Sequence, residues 1–270
     1  MDFNFINIRN KNLKPIMQLF IKVAVFYKTN HLTKKKNMKR AMYLSIAFAV
    51  LIVATGNIFG QSDKETRNVS GFTEIGFGIA GNLYVKIGSA FSVVVEADKK
   101  FLPDVETFLR DNKLIIRNKS NWSFNNEKAD IYITLPELKG LSVSGSGNAK
   151  IESSIKTESL DLSVSGSGRL VASEITAGKL DCSVSGSGDI IINGSGEIGD
   201  GEISISGSGS YSGETARFKS LEVGVSGSGH CTVNVTESLE AHISGSGNVN
   251  YVGNPKIDAR VSGSGHVRSK

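Results

Sequence analysis

The chain has few of the residues on which most catalytic or cross-linked domains depend. Its 270 residues include 2 Cys, 4 His and 1 Trp, and aromatics make up 7%. Two cysteines exclude the disulfide framework that holds many small secreted domains together. His230, His242 and His266 lack the ligand spacing of a zinc site. No G-x-S-x-G elbow, H-E-x-x-H helix or phosphate-binding loop is present. Two G-x-G-x-x-G matches, at Gly76-Gly78-Gly81 and Gly194-Gly196-Gly199, open no helix of a βαβ unit and carry no nucleotide signal. The second half has only Tyr211, Phe218 and Tyr251 as aromatics, too few for the stacked platforms that sugar-cleaving sites commonly use.

Charge is divided along the chain. Residues 1–60 hold ten Lys/Arg and one Asp, a net of +9, whereas the remaining 21 Lys/Arg and 25 Asp/Glu leave −4. The basic balance belongs to the leader, so it gives no support for a nucleic-acid partner. Lys34, Lys35, Lys36, Lys39 and Arg40 precede the apolar run Ala41 to Ala54, followed by the small and polar stretch TGNIFGQS. That order is the order of a secretory signal. Residues 38–60 are read as a signal peptide cut after Gly60, and residues 1–37 as an over-called N-terminal extension, since Met38-Lys39-Arg40 makes the better start. An uncleaved segment would leave a membrane anchor, although the run is shorter than the ~20 residues a span needs. The expected location is the periplasm, the outer surface or the medium.

What the chain has in quantity is a repeat. Ser-Gly-Ser-Gly occurs seven times, beginning at Ser144, Ser165, Ser185, Ser206, Ser226, Ser244 and Ser262, at spacings of 18–21 residues. A fixed period near 20 residues marks a solenoid. A β-branched residue precedes every tetrapeptide: Val143, Val164, Val184, Ile205, Val225, Ile243 and Val261. Two residues before it the chain is apolar again, with polar or small residues between. This period-2 alternation describes a strand with one buried face. Each repeat has room for two short strands and none for a crossover helix. The tetrapeptide reads as a tight corner, because Gly tolerates φ > 0 and close backbone approach. The fold class is therefore all-β, a parallel β-helix with coils of 18–21 residues over 141–270. Cys182 and Cys231 fall on inward positions two coils apart, about 10 Å by strand spacing. They are beyond disulfide reach and read as buried free thiols.

Residues 61–67 (QSDKETR) are polar and read as a flexible start. Residues 68–140 are β-rich, acting as first coils or as a cap, with strands near Phe72–Ile79, Leu83–Ile87, Phe91–Glu96, Lys113–Asn118 and Asp130–Leu135. Pro103–Arg110 reads as one or two helical turns, and Asn118–Asn126, with the sole Trp, as a loop.

The stretch VSGFTEIGFGIAGNLYVKIGSAFSVVVEAD from Val69, then Leu114-Ile115-Ile116, Ile131-Tyr132-Ile133-Thr134-Leu135-Pro136, and LSVSGSGN from Leu141 resemble the putative auto-transporter adhesin, head GIN domain family. That family was long known only as a domain of unknown function. The resemblance covers roughly residues 68–268. It implies a secreted or envelope protein of a Gram-negative bacterium with a β-helical fold, and it brings no catalytic residues.

Two outward rows are candidate sites. Asp161, Asp181, Glu202, Glu222, Glu240 and Asp258 each lie four residues before a tetrapeptide, and only the first repeat departs, with Gly140. Stacking would align six carboxylates, a row suited to a basic ligand or to calcium through hard oxygen donors, or else a solvated face. No other cofactor is expected. Asn148, Arg169, Asp189, Ser210, His230, Asn248 and His266 follow the tetrapeptides and form a heterogeneous polar edge. The leading reading is an exported, non-enzymatic surface or envelope protein, an adhesin for polysaccharide or a surface protein. One alternative is a β-helical lyase or hydrolase drawing paired carboxylates from the acidic row. Another is a passive module that stacks through its last coil. The oligomeric state is not legible in the sequence.

Overall fold

The computed structural model describes residues 62–119 and 128–270. The extension 1–37, the signal segment 38–60 and most of the loop around Trp122 lie outside the described residues. The first strands are β1 (Ser62–Thr66), β2 (Glu74–Gly78), β3 (Gly81–Ile87), β4 (Ser92–Asp98), β5 (Val105–Arg110), β6 (Lys113–Asn118) and β7 (Ala129–Leu135). The repeat region follows with β8 (Gly140–Gly145), β9 (Asn148–Ile151), β10 (Ile155–Gly166), β11 (Arg169–Ala172), β12 (Ile175–Gly186), β13 (Asp189–Ile192) and β14 (Gly196–Gly207). The last coils comprise β15 (Ser210–Gly227), β16 (His230–Gly245), β17 (Asn248–Val252), β18 (Lys256–Gly263) and β19 (His266–Ser269).

The repeats stack as a parallel β-solenoid. One ladder runs β8, β10, β12, β14, β15, β16, β18, every neighbour parallel and the tetrapeptides in register. A second runs β9, β11, β13, β15, β16, β17, β19. Alternation along each strand sends Leu, Ile and Val into one continuous core, including Leu160, Leu162, Val164 and Leu170. Each such side chain contributes roughly 1.5–3 kcal/mol when fully buried. Where Gly201 interrupts the row formed by Leu160, Leu180, Leu221 and Leu239, the Phe218 ring of the next coil fills the space.

The tetrapeptide makes the corner through its backbone. Its first glycine has positive φ, for example +110° at Gly186. Its carbonyl then accepts the N–H of the second serine one coil on, as in Ser187 N to Gly166 O at 2.9 Å. A Cβ on Gly186 would lie 2.6 Å from the Gly166 carbonyl oxygen, so stacked coils leave room only for glycine.

The segment before the repeats supplies both coils and a cap, in an order that does not follow the chain. β2 pairs in parallel with β8 on one side and β6 on the other. β3 likewise lies between β9 and β7. The β2–β3 coil is thus sandwiched between a later coil, β6–β7, and the first repeat. Antiparallel strands close this end, β5 on β6 and β4 on β7, with β1 on β4.

Two expectations are corrected here. Residues 62–66 are a strand and not a flexible start, because the polar chain covers the otherwise open edge of β4, with Lys64 and Glu96 paired at 3.1 Å. Pro103–Arg110 is not helical beyond a single 3-10 turn at Leu102–Asp104. Val105–Arg110 instead pairs with β6 through a two-residue hairpin in which Asp111 has φ 54°. Edge coverage outweighs the weak local helical pattern.

Candidate functional site

The six acidic residues do form one row. Asp161, Asp181, Glu202, Glu222, Glu240 and Asp258 are direct neighbours in successive coils, about 4.8 Å apart along the stack. Alternation places them outward, between inward apolar positions. Beyond Gly140 the row resumes with Glu74, which pairs with Gly140 and lies 4.0 Å from Lys113. The sequence concealed that step, because β2 precedes β8 by more than sixty residues. Two of the charges are balanced from the same strands, Lys179 meeting Asp181 at 2.7 Å and Arg260 meeting Asp258 at 3.5 Å, and the His242 imidazole lies 3.4 Å from Glu240. The hydrogen bond to Asp181 holds the Lys179 ammonium above its ordinary pKa, with Glu202 and Asp161 adding to the effect. The carboxylates run along a line and do not converge. Among the described residues no group of three or more His, Cys, Asp or Glu is placed to hold a metal ion.

A shallow groove of about 680 Å³ lies beside this row, where the preceding strand positions meet the first serines. It spans five coils, and its polar lining includes Ser185, Ser206, Ser226, Ser244, His242 and Arg260. A smaller groove of about 330 Å³ borders the acidic row on its other side, among Asp200, Ser220, Glu222, Ser238, Glu240 and Lys256. The sequence held a signal for both, since the lining residues occupy alternate outward positions of the same strands. Only stacking shows that they border continuous depressions.

The second polar row is aligned but largely committed to itself. Asn82 donates to Asp130 at 2.8 Å, Arg169 to Asp189 at 2.9 Å and Ser210 to Asp189 at 2.6 Å. Asn148 reaches Asn82 at 3.4 Å. Tyr84 and Tyr132 also face outward in neighbouring coils, stacked on each other at 5.2 Å with Lys64 over the Tyr132 ring. Burial, together with Glu96 and Asp130, raises the Tyr132 hydroxyl pKa. With one ring face on its partner and the other under a lysine, Tyr132 is not a free sugar platform.

Cys182 and Cys231 are free and buried, as their inward positions require. Desolvation pushes both thiols well above their usual range. Tyr211 lies between them in the core, and its hydroxyl pKa is raised by the same burial.

The family model described as "Putative auto-transporter adhesin, head GIN domain" matches residues 71–255. A solved putative adhesin from Bacteroides fragilis NCTC 9343 is 26% identical with a TM-score of 0.73, over 78% of this chain and 97% of that one. A putative lipid binding protein from Parabacteroides distasonis ATCC 8503 is 24% identical with a TM-score of 0.64, over 78% and 98%. A putative adhesin from Parabacteroides merdae ATCC 43184 is 23% identical with a TM-score of 0.62, over 78% and 97%. The last two likenesses speak to the fold alone. No functionally curated protein matches the chain.

Proposed function

The chain belongs to the putative auto-transporter adhesin, head GIN domain family, and from that premise we propose an exported, non-enzymatic surface or envelope protein that binds polysaccharide or another surface protein. The observation that carries this reading is the outward face of the long ladder. Rigid, hydrogen-bonded coils hold a row of carboxylates beside a groove of hydroxyl, imidazole and guanidinium groups. Such a face suits an extended ligand laid across several coils. A hydroxyl-rich glycan would exchange hydrogen bonds with Ser206, Ser226 and His242, while a basic protein segment would lie along Glu202, Glu222 and Glu240. With an acidic glycan, calcium would bridge the glycan's carboxylates to this row in the complex, the row by itself gathering no group of ligands around an ion. Export rests on the basic and apolar order of residues 34–60.

The test combines the purified protein with a panel of polysaccharides and glycoproteins, with and without calcium, and measures bound protein and new reducing ends together. Saturable binding without product is the expected result, weakened by Glu202→Gln and Glu222→Gln. New reducing ends would replace this reading with the lyase or hydrolase one. Recovery of the native protein in the cytoplasmic fraction would overturn export.

A further inference from the structure

Among the described residues the last coil leaves a sheet edge open, and its residues fit a copy of themselves. β18 pairs with β16 on one side only among the described residues. Its inward positions, Ile257, Ala259 and Val261, continue the buried column Leu239, Ala241 and Ile243, yet Ile257 and Val261 are 41% and 44% exposed. The backbone phase follows from the register. The Asp161 N–H donates to Lys139 O in the coil before it at 2.9 Å, and Asp258 occupies the same place in its coil. In a strand the N–H and C=O of alternate residues point to opposite sides. Ile257, Ala259 and Val261 therefore turn both groups to the open edge.

We propose that this edge is a tail-to-tail dimer interface, with β18 pairing antiparallel to β18 of a second copy about a two-fold axis at Ala259. In that register Ile257 lies opposite Val261 and Ala259 opposite itself. All are edge-directed residues, which is what a hydrogen-bonded antiparallel pair requires. On the outward side Asp258 lies opposite Arg260 twice over, so both charge pairs across the axis are attractive. The two residues already lie 3.5 Å apart within one strand and are well exposed, so dimerisation would complete a four-charge cluster. A head-to-tail stack finds no free coil edge at the other end, because β6 and β7 are covered by the antiparallel β5 and β4 and β4 in turn by β1, so that end presents only the outer edges of β5 and β1. The basic tail is drawn back onto its own coils, Arg268 to Asn250 at 3.0 Å and Lys270 to Glu214. An isologous interface of this kind closes after two copies and protects an edge that would otherwise invite aggregation.

Sedimentation velocity of the full chain over a range of concentrations tests the proposal. The expected result is a reversible dimer. Asp258→Arg and Arg260→Asp should each raise its Kd at least about tenfold by placing like charges opposite one another. The double charge swap should restore Kd to within about threefold, because the pattern across the axis is regained. Ala259→Cys should yield a disulfide-linked dimer on mild oxidation, since Cα atoms of a hydrogen-bonded antiparallel pair lie about 5.5 Å apart. A monomer at every concentration would overturn the interface. A dimer indifferent to both single swaps, or not cross-linked through position 259, would overturn this edge and register.

Discussion

Glycine at the corner shows how much depends on one hydrogen atom. Gly145 opens the first repeat at φ 86° with nothing near its missing Cβ, whereas Gly186 at φ 110° lies against the Gly166 carbonyl. Both carry the cost of a left-handed conformation, and Gly186 adds a backbone collision. Gly145→Ala should cost about 1–2 kcal/mol and Gly186→Ala about 2–5 kcal/mol. Urea unfolding midpoints of the two variants measure the difference, and equal losses would refute the stacking account. The corner itself was legible, since only glycine serves at a repeated tight turn. The inequality between the two positions was not, because it depends on which coil lies beneath.

Among elements, the edge strands set the limits of sequence reading. The core strands announce themselves by alternation, and Leu162, Val164 and Leu170 are buried as that pattern requires. β1 and β5 carry no such pattern. SDKET is polar throughout, and VETFLR is mixed. Their structure comes from a neighbour: each binds an edge whose N–H and C=O groups would otherwise be unpaired. The Asp111-Asn112 turn was the available signal for the β5–β6 hairpin. It follows that β4 depends on β1 more than the repeats do. A chain beginning at Arg67 should show faster amide exchange in β4 with β12 and β14 unchanged, as read by hydrogen-exchange mass spectrometry. Uniformly faster exchange would mean that β1 supports the whole solenoid.

At the scale of the molecule, the acidic row carries six carboxylates through successive coils. Like charges stacked in register oppose folding, and the sequence beyond residue 60 carries a net of −4. Added sodium chloride should therefore raise the unfolding free energy, read from the urea midpoint, by up to about 1 kcal/mol. Magnesium and calcium at equal ionic strength should act alike on a row that does not converge. A gain specific to calcium would reveal a site that the carboxylates assemble on binding. The sequence alone determined the period, the alternation, the corners and the register, because each is local chemistry repeated at a fixed interval. For the same reason it placed all six acidic residues in one line. Only the tertiary structure decided that β2–β3 lies between β6–β7 and the first repeat, that Glu74 extends the acidic row, and that among the described residues β6 and β7 are covered by antiparallel strands while β18 pairs on one side only. Those features come from long-range pairing, in which an exposed strand edge is satisfied by whichever segment reaches it, however distant in the chain.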